Sequence, residues 1–321
     1  MRMIIAFLLG CLGMFLTTGC AFVSVPLMSA PQPLAEQVLE GEGAKKILIV
    51  DISGAIGDQA KGGGLLSRGT PSTVSLVREV ILKAERDPKV AGLILRINSP
   101  GGTVTASDII RHDLLAFKER RNLPVSACIM GIGASGGYYV ATAADGITAH
   151  PTAVTGSIGV LLMTFNVEGL LGKVGVEEKT IKSGGKKDLL SPFRRATPEE
   201  ERLVQRVIDQ FHGRFVDVVQ ARPGNRLSRQ DLLTLADGRI FSAADALAAG
   251  LIDRIGYLDD VIASLRDRIG DPDARVVTYF RPGSYQGSIY AESAVEPSMA
   301  DLLGGFDMTG GGQFMYLWRP W

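Results

Sequence analysis

A serine enclosed by glycines is the residue of this chain best suited to nucleophilic chemistry. Ser135 lies in residues 131–137, Gly-Ile-Gly-Ala-Ser-Gly-Gly, directly after the apolar stretch 124–130. An apolar run followed by such a turn predicts a buried strand that leads into a helix. A hydroxyl at a strand-to-helix turn lies beside backbone N–H groups without intrahelical partners, and such groups can stabilise an oxyanion. The pattern therefore predicts a nucleophilic serine.

The same residues match the Gly-x-Ser-x-Gly nucleophile elbow, which requires a histidine later in the chain. Only His150 and His212 follow Ser135. His150 comes soon after the serine, and His212 lies about 100° off the apolar stripe of a predicted helix over 198–220, where a solvated residue is expected. A Ser-His-Asp hydrolase therefore stays an alternative. Dinucleotide binding through Gly-x-Gly-x-x-Gly is disfavoured, because residues 151–160 contain no acid.

A lysine is the second candidate for the catalytic base. Lys186 and Lys187 are neighbours within residues 179–191, and like charge lowers the pKa of either lysine. An amine with a reference pKa of ~10.4 acts as a base only where desolvation or a neighbouring charge keeps it neutral. From spacing alone, a solvated basic loop is the other interpretation of this stretch.

The composition excludes several other classes of protein. Among 321 residues, 34 Lys and Arg balance 34 Asp and Glu, so the chain has no basic field for nucleic acid. His112, His150 and His212 are far apart, and Cys128 lies in a predicted buried strand, so no ligand-spaced cluster exists. We predict no nucleic-acid partner, no metal and no cofactor.

The start of the chain is uncharged from residue 3 to residue 35. Its apolar part has the length of a signal-peptide core behind a single positive charge. Thr17-Thr18-Gly19-Cys20 resembles a bacterial lipobox, in which Cys20 would be lipidated. An uncleaved anchor running to about Met28 is the alternative. Both interpretations predict export and attachment to a membrane.

The elements that must position Ser135 alternate along the chain. Apolar runs at 46–53, 90–97 and 124–130 are typical of strands covered on both faces, and residues 72–87 and 104–118 have helical spacing. This alternation predicts an α/β fold with a mostly parallel sheet.

The chain divides into four predicted parts. Residues 1–28 form the leader or anchor, 29–45 a linker, 46–282 the catalytic domain and 283–321 a Gly-rich tail. The aromatic end of the tail, residues 313–321, is interpreted either as disordered or as docked on the protein near its substrate groove or on the membrane interface.

Several motifs together resemble the signal peptide peptidase A family of Ser/Lys serine proteases. They are Asn98-Ser-Pro-Gly-Gly102, Ala134-Ser-Gly-Gly-Tyr-Tyr139, Thr155-Gly-Ser-Ile-Gly159, Lys182-Ser-Gly-Gly-Lys-Lys-Asp188 and the later stretch 238–253. The resemblance implies a Clp-protease/crotonase-like fold of repeated ββα units with a helical C-terminal part.

The resemblance also assigns roles within the site. It implies that Ser135 is the nucleophile, Lys187 the general base and Ser157 the hydroxyl that orients the lysine. It implies Gly102 as an oxyanion-hole donor, and Gly136 is a plausible second donor because it follows the nucleophile. Only glycine lets a backbone N–H approach a carbonyl so closely.

The implied protein is a membrane-attached endopeptidase of the bacterial cell envelope, with its catalytic domain outside the cytoplasm. It would cleave apolar peptides, such as remnant signal peptides, through an acyl-enzyme and without a cofactor. The resemblance further implies a ring-like homo-oligomer in which serine and lysine of one site come from neighbouring protomers. A non-catalytic envelope scaffold that binds peptides is the alternative of a different class.

Overall fold

The computed structural model describes residues 33–60, 71–282, 287–291 and 313–318. The strands in these residues are β1 Ala35–Glu40, β2 Lys46–Ser53, β3 Val90–Ser99, β4 Gly101–Thr103, β5 Val125–Ala134, β6 Gly146–Ala149, β7 Val154–Gly156, β8 Leu161–Leu162, β9 Ile240–Ser242, β10 Arg254–Ile255, β11 Arg275–Phe280 and β12 Phe314–Leu317. The helices are α1 Thr73–Glu85, α2 Val104–Arg121, α3 Gly136–Ala141, α4 Glu168–Lys173, α5 Pro198–Gln220, α6 Arg229–Leu235, α7 Ala243–Ala248 and α8 Leu258–Ile269.

A large sheet in the order β1-β11-β2-β3-β5-β6-β10 organises the fold. Neighbouring strands in the run β11-β2-β3-β5-β6-β10 are parallel, and β1 is antiparallel to β11. Strand β7 pairs in parallel with the end of β5 and antiparallel with β9. A second sheet has the order β4-β12-β8. Parallel strands joined through helices confirm the predicted α/β class.

Both faces of the large sheet are covered, which explains the continuous apolar runs of its strands. Leu48 and Leu95 face a core that also contains Phe117 of α2, whereas Ile47 and Ile94 face the apolar side of α8. Each strand therefore contributes alternate residues to two separate cores.

The stretch predicted as a linker at 29–45 differs from the structure at residues 35–40, which form β1. This strand pairs with β11, and its Glu36 carboxylate accepts a hydrogen bond from Lys46 Nζ at 2.7 Å. Lys46 also donates to Asp87 at 2.7 Å, and the two carboxylates outweigh burial and raise the lysine pKa. Tertiary pairing thus makes a strand of residues whose local sequence is typical of a linker.

The predicted leader, residues 1–28 with Cys20, lies outside the described residues. Among the helices that the structure describes, none is both long and apolar enough to cross a membrane.

The start of α3 packs tightly against the loop after β3. A Cβ atom added to Gly137 would lie 2.6 Å from the Ser99 carbonyl oxygen, which belongs to the backbone and has little freedom to retreat. By contrast, a Cβ atom on Gly213, in the middle of α5, would meet nothing within 4 Å. The first glycine is therefore required by packing and the second is not.

We predict opposite effects for the two alanine substitutions. Gly137→Ala should lower the free energy of unfolding by ~1–3 kcal/mol because it overpacks a closed contact. Gly213→Ala should raise it by ~0.5–1 kcal/mol because alanine is the better helix former. Urea unfolding of the full-length chain measures both values, and an unchanged midpoint for Gly137→Ala would contradict the packing argument.

Candidate active site

Ser135 occupies the turn between β5 and α3 in a strained conformation. Its φ of 53° and ψ of −116° lie outside the regions that L residues prefer. Its amide donates to the Gly156 carbonyl at 2.7 Å, and its own carbonyl accepts from the Tyr139 amide at 2.8 Å. The residue is 1% exposed, and its hydroxyl has no hydrogen-bond partner within the described part of the chain. A strained backbone and a buried hydroxyl without a partner are typical of a side chain that is positioned for reaction.

Ser157 directly follows β7, the strand that pairs with the end of β5. β5 and β7 pair in parallel with Ala134 opposite Gly156, and the residue that follows each strand is a serine. Ser157 also has a positive φ, of 50°, and is 6% exposed. The two serines predicted from sequence are therefore brought together by strand register.

Gly102 and Gly136 approach each other closely beside this turn. A Cβ atom on Gly136 would lie 3.1 Å from the Gly102 amide nitrogen and 2.4 Å from Ser107 Oγ. The Gly101 carbonyl and the Thr103 amide both bond to Ile56, at 2.9 and 3.0 Å. Because alternate residues of a strand present their backbone groups to opposite edges, the Gly102 amide faces away from Ile56. The predicted donors thus lie on adjoining backbone segments next to Ser135.

Strand β12 lies in a cleft between β4 and β8 and pairs antiparallel with both strands. The Tyr139 and Phe215 rings form an aromatic pocket at the floor of this cleft and meet edge-on at 5.0 Å between centroids. The Tyr139 hydroxyl donates to Asp108 at 2.6 Å, and burial followed by this bond raises the tyrosine pKa. Phe215 lies in the helix predicted over 198–220, and its spacing carries no signal of a pocket.

Lys187 is exposed, and it is not bonded to the Ser135 hydroxyl. Its backbone is nonetheless held in place, because the following residue, Asp188, is paired with Lys182 at 2.6 Å and with Arg194 at 2.8 Å. The hydrogen bonds from Arg194, then those from Lys182, hold the pKa of Asp188 well below its ordinary value. The structure therefore fixes the loop of the predicted base without bringing the base to the nucleophile of the same chain.

Arg194 extends this network to the first turn of α5. It donates to Glu200 Oε1 at 2.7 Å, and Glu200 Oε2 accepts the Thr197 amide at 2.8 Å in a capping box. Glu200 is 2% exposed. The hydrogen bonds from Arg194, followed by the backbone bond from Thr197, lower its pKa to about 2.

Neither histidine of the alternative triad bonds to Ser135. His212 Nε2 is 2.7 Å from the Ala236 carbonyl oxygen, and His150 Nδ1 is 2.9 Å from Thr152 Oγ1. Both rings have local structural partners, and the Ser135 hydroxyl has none among the residues that the structure describes, so the geometry gives the Ser-His-Asp alternative no support. Within the described residues, no group of three or more His, Cys, Asp or Glu could hold a metal ion.

Comparison with known proteins is consistent with this geometry. A family model described as Peptidase family S49 matches residues 117–270. A protein of Enterococcus faecium named as a signal peptide peptidase SppA is 35% identical over 244 residues, 76% of this chain and 70% of that protein. A protein of Synechocystis sp. named as a protease is 36% identical over 285 residues, 86% of this chain and 96% of that protein. Protease 4 of Salmonella typhi is 34% identical over 217 residues, 68% of this chain and 34% of that protein.

We predict that Glu200→Gln loosens the loop that carries Lys187. The variant removes the carboxylate that holds Arg194, so hydrogen exchange of the amides in residues 182–191 should become faster at pH 7. Glu201→Gln is the matched control, because Glu201 is exposed at the neighbouring position. Equal exchange in both variants would contradict the anchoring role.

The same network predicts a pH dependence. Because the Glu200 pKa in the folded protein is about 2, below its ordinary value of 4.5, its stabilising effect is complete above pH 4.5 and is lost as the pH falls towards 2. Exchange in residues 182–191, corrected for its intrinsic pH dependence, should therefore stay slow from pH 7 to about 4.5 and rise below. A rise between pH 7 and 5 would indicate a different titrating group.

Proposed function

Because this chain belongs to peptidase family S49, the SppA family, and is a serine peptidase, we propose that it is a membrane-attached endopeptidase with a Ser135/Lys187 dyad. The observation that carries the proposal is the Ser135 hydroxyl, which is buried, has no partner in the described ranges of the chain and lies at a strained turn next to two glycine amides. An enzyme has a use for such a serine, whereas a peptide-binding scaffold has none.

The proposed reaction is hydrolysis through an acyl-enzyme. Ser135 Oγ attacks the carbonyl carbon of the peptide bond while neutral Lys187 takes its proton. The amides of Gly102 and Gly136 stabilise the negative charge that develops on the carbonyl oxygen. The lysine then protonates the leaving amine, and a water molecule that it activates hydrolyses the ester. No step requires a cofactor.

Ser157 is proposed to orient the lysine amine. Its place next to Ser135 in the strand register supports this role, because one amine could then contact both hydroxyls. A serine hydroxyl accepts a hydrogen bond from a neutral amine without adding a charge that would favour protonation of the lysine.

A ring-like homo-oligomer would supply the lysine from a neighbouring protomer. Lys187 is exposed within its own chain, and the segments around it carry apolar side chains in contact with solvent. These side chains are Leu170, Val174, Val176, Ile181 and Phe193, and Ile181 is 94% exposed. Exposed apolar surface of this kind is typical of a protein interface.

The proposed substrates are apolar peptides, such as signal peptides that remain in the membrane after export. We propose that residues 1–28 attach the enzyme to the membrane, by lipidation of Cys20 or as a helical anchor, with the catalytic domain outside the cytoplasm in the bacterial envelope. Enzyme and substrate would then meet at one surface.

We also propose a Clp-protease/crotonase-like fold of repeated ββα units. The order β3, β4, α2 along the chain is one ββα unit, and it supports a Clp-protease/crotonase-like fold built from such units. The helices from α5 to α8 correspond to the expected helical C-terminal part.

We predict that Ser135→Ala and Lys187→Ala each abolish hydrolysis of a fluorogenic apolar peptide. Lys187→Arg should be equally inactive, because a guanidinium does not deprotonate. Lys186→Ala is the control, since Lys186 pairs with Glu199 at 2.7 Å and has no proposed catalytic role. Activity in Lys187→Ala, or its loss in Lys186→Ala alone, would refute the assignment of the base.

Mixing the two inactive variants tests whether the site spans protomers. If one chain contributes Ser135 and its neighbour Lys187, co-expressed Ser135→Ala and Lys187→Ala chains should recover up to about a quarter of the wild-type activity. When the two chains are arranged at random around a ring, about one site in four combines an intact Ser135 with an intact Lys187. Each variant expressed alone is the control. A mixed oligomer without activity would place both groups in one chain.

A further inference from the structure

We propose that Ser99 is a positioning residue for the oxyanion hole: its buried hydroxyl holds Gly101 so that the next amide, that of Gly102, points at the carbonyl oxygen under attack. Ser99 acts through the backbone of β4 rather than by contact with the substrate. This inference rests on the proposed mechanism of Ser135, and it adds a side chain to a site in which backbone amides stabilise the oxyanion.

The Ser99 side chain lies at the end of β3 and is completely buried. Its hydroxyl donates to the Gly54 carbonyl oxygen at 2.6 Å and accepts the Gly101 amide at 3.1 Å. A serine hydroxyl has one proton to donate and lone pairs that accept, and both capacities are used here. A single oxygen atom therefore links the loop after β2 to the strand of the oxyanion donor.

The carbonyl of Gly101 is held by the same loop. It accepts a hydrogen bond from the Ile56 amide at 2.9 Å, and the Ile56 carbonyl accepts the Thr103 amide at 3.0 Å. Ile56 is 1% exposed and packs in the core, which fixes its backbone. Both backbone polar groups of Gly101 are therefore bonded to residues outside β4.

The planarity of the peptide group transmits this restraint to Gly102. The Gly101 carbonyl and the Gly102 N–H belong to one trans peptide group, so they point in opposite directions. Ile56 lies along one edge of β4, where it forms a bridge to Gly102, and the cleft lies along the other edge. With the carbonyl bonded to Ile56, the Gly102 N–H is presented to the cleft.

Gly101 is the flexible point of this arrangement. Its φ of 100° suits glycine and strains any other residue, and a Cβ atom there would lie 2.6 Å from the Gly136 amide nitrogen. The position therefore excludes a side chain that would stiffen it. Rotation of the peptide group between Gly101 and Gly102 would replace the donor N–H by a carbonyl oxygen, which repels an oxyanion. The Ser99 hydroxyl supplies the restraint that a glycine lacks.

Ser99→Ala removes the hydroxyl with little change in volume, and the buried Gly101 N–H loses its partner. Removal of one oxyanion donor costs on the order of 10²–10³ in kcat, and a donor that is misdirected costs less. We therefore expect kcat for a fluorogenic apolar peptide to fall by ~10–100-fold, with KM within about twofold of wild type, because the oxyanion forms only in the transition state. The Gly136 amide stays in place, so activity should remain above that of Ser135→Ala.

Ser228→Ala is the matched control. The Ser228 hydroxyl also accepts a backbone amide, that of Asp231 at 3.1 Å, and donates to the Asp231 carboxylate at 2.7 Å. It does so at the start of α6, outside the site. Both variants lose a serine hydroxyl and the amide bond that it accepts, so a general loss of stability affects both. Only Ser99→Ala should lower kcat, with circular dichroism used to verify that each chain is folded.

Ser99→Cys gives a graded second variant. A thiol is a weak donor and a weak acceptor, so its kcat should lie between those of wild type and Ser99→Ala. A peptide aldehyde that adds reversibly to Ser135 Oγ places a tetrahedral carbon and its oxygen at the oxyanion hole. Its inhibition constant should rise in both variants by the factor by which kcat/KM falls. An unchanged inhibition constant, or a rise of KM without a fall of kcat, would overturn the positioning role.

The outcomes separate this inference from the proposed function. If wild type hydrolyses no peptide, or Ser135→Ala is as active as wild type, the mechanism of Ser135 fails. If Ser135→Ala is inactive while Ser99→Ala keeps the kcat of Ser228→Ala, only the role of Ser99 fails.

Discussion

The close approach of two backbone segments underlies this site. Gly101 and Gly102 on β4 meet Gly136 at the start of α3 with no room for a Cβ atom between them, so peptide groups contact peptide groups directly. This contact sets Ser135 at the rim of a cleft whose walls are backbone amides. It also explains the strained serine, because the turn from β5 into α3 must bring Gly136 against β4 within one residue.

Ion pairs, rather than apolar packing, hold the loop that carries the proposed base, Lys187. Asp188, Arg194 and Glu200 link the segment of Lys187 to the capped start of α5. Both carboxyl groups have lowered pKa values, so the network stays charged at any pH where a lysine amine could work as a base. The loop is therefore held by ion pairs while the lysine side chain stays exposed.

The sequence predicts those features that depend on neighbouring residues. The alternation of apolar runs with helical spacing gives the α/β class, and the glycines around Ser135 locate the turn that carries the proposed nucleophile. Ser157 and Gly102 required the resemblance to a family, because their proximity to Ser135 comes from strand pairing between distant segments. β1 was missed for the same reason: its partner, β11, lies more than 200 residues further on, and local composition cannot report a pairing of that range. The aromatic pocket likewise joins Tyr139 and Phe215, which lie far apart in the chain, so local spacing cannot report their contact.

The position of β12 between β4 and β8 has a consequence for which polypeptides can be processed. A chain in this cleft must be extended, with both rows of backbone N–H and C=O groups unpaired, because each row meets a strand edge. Helices and interior strands have already used these groups within their own structure, and releasing them costs the free energy of local unfolding. The cleft therefore selects by conformational state before it contacts any side chain, and a folded polypeptide must unfold locally to enter it.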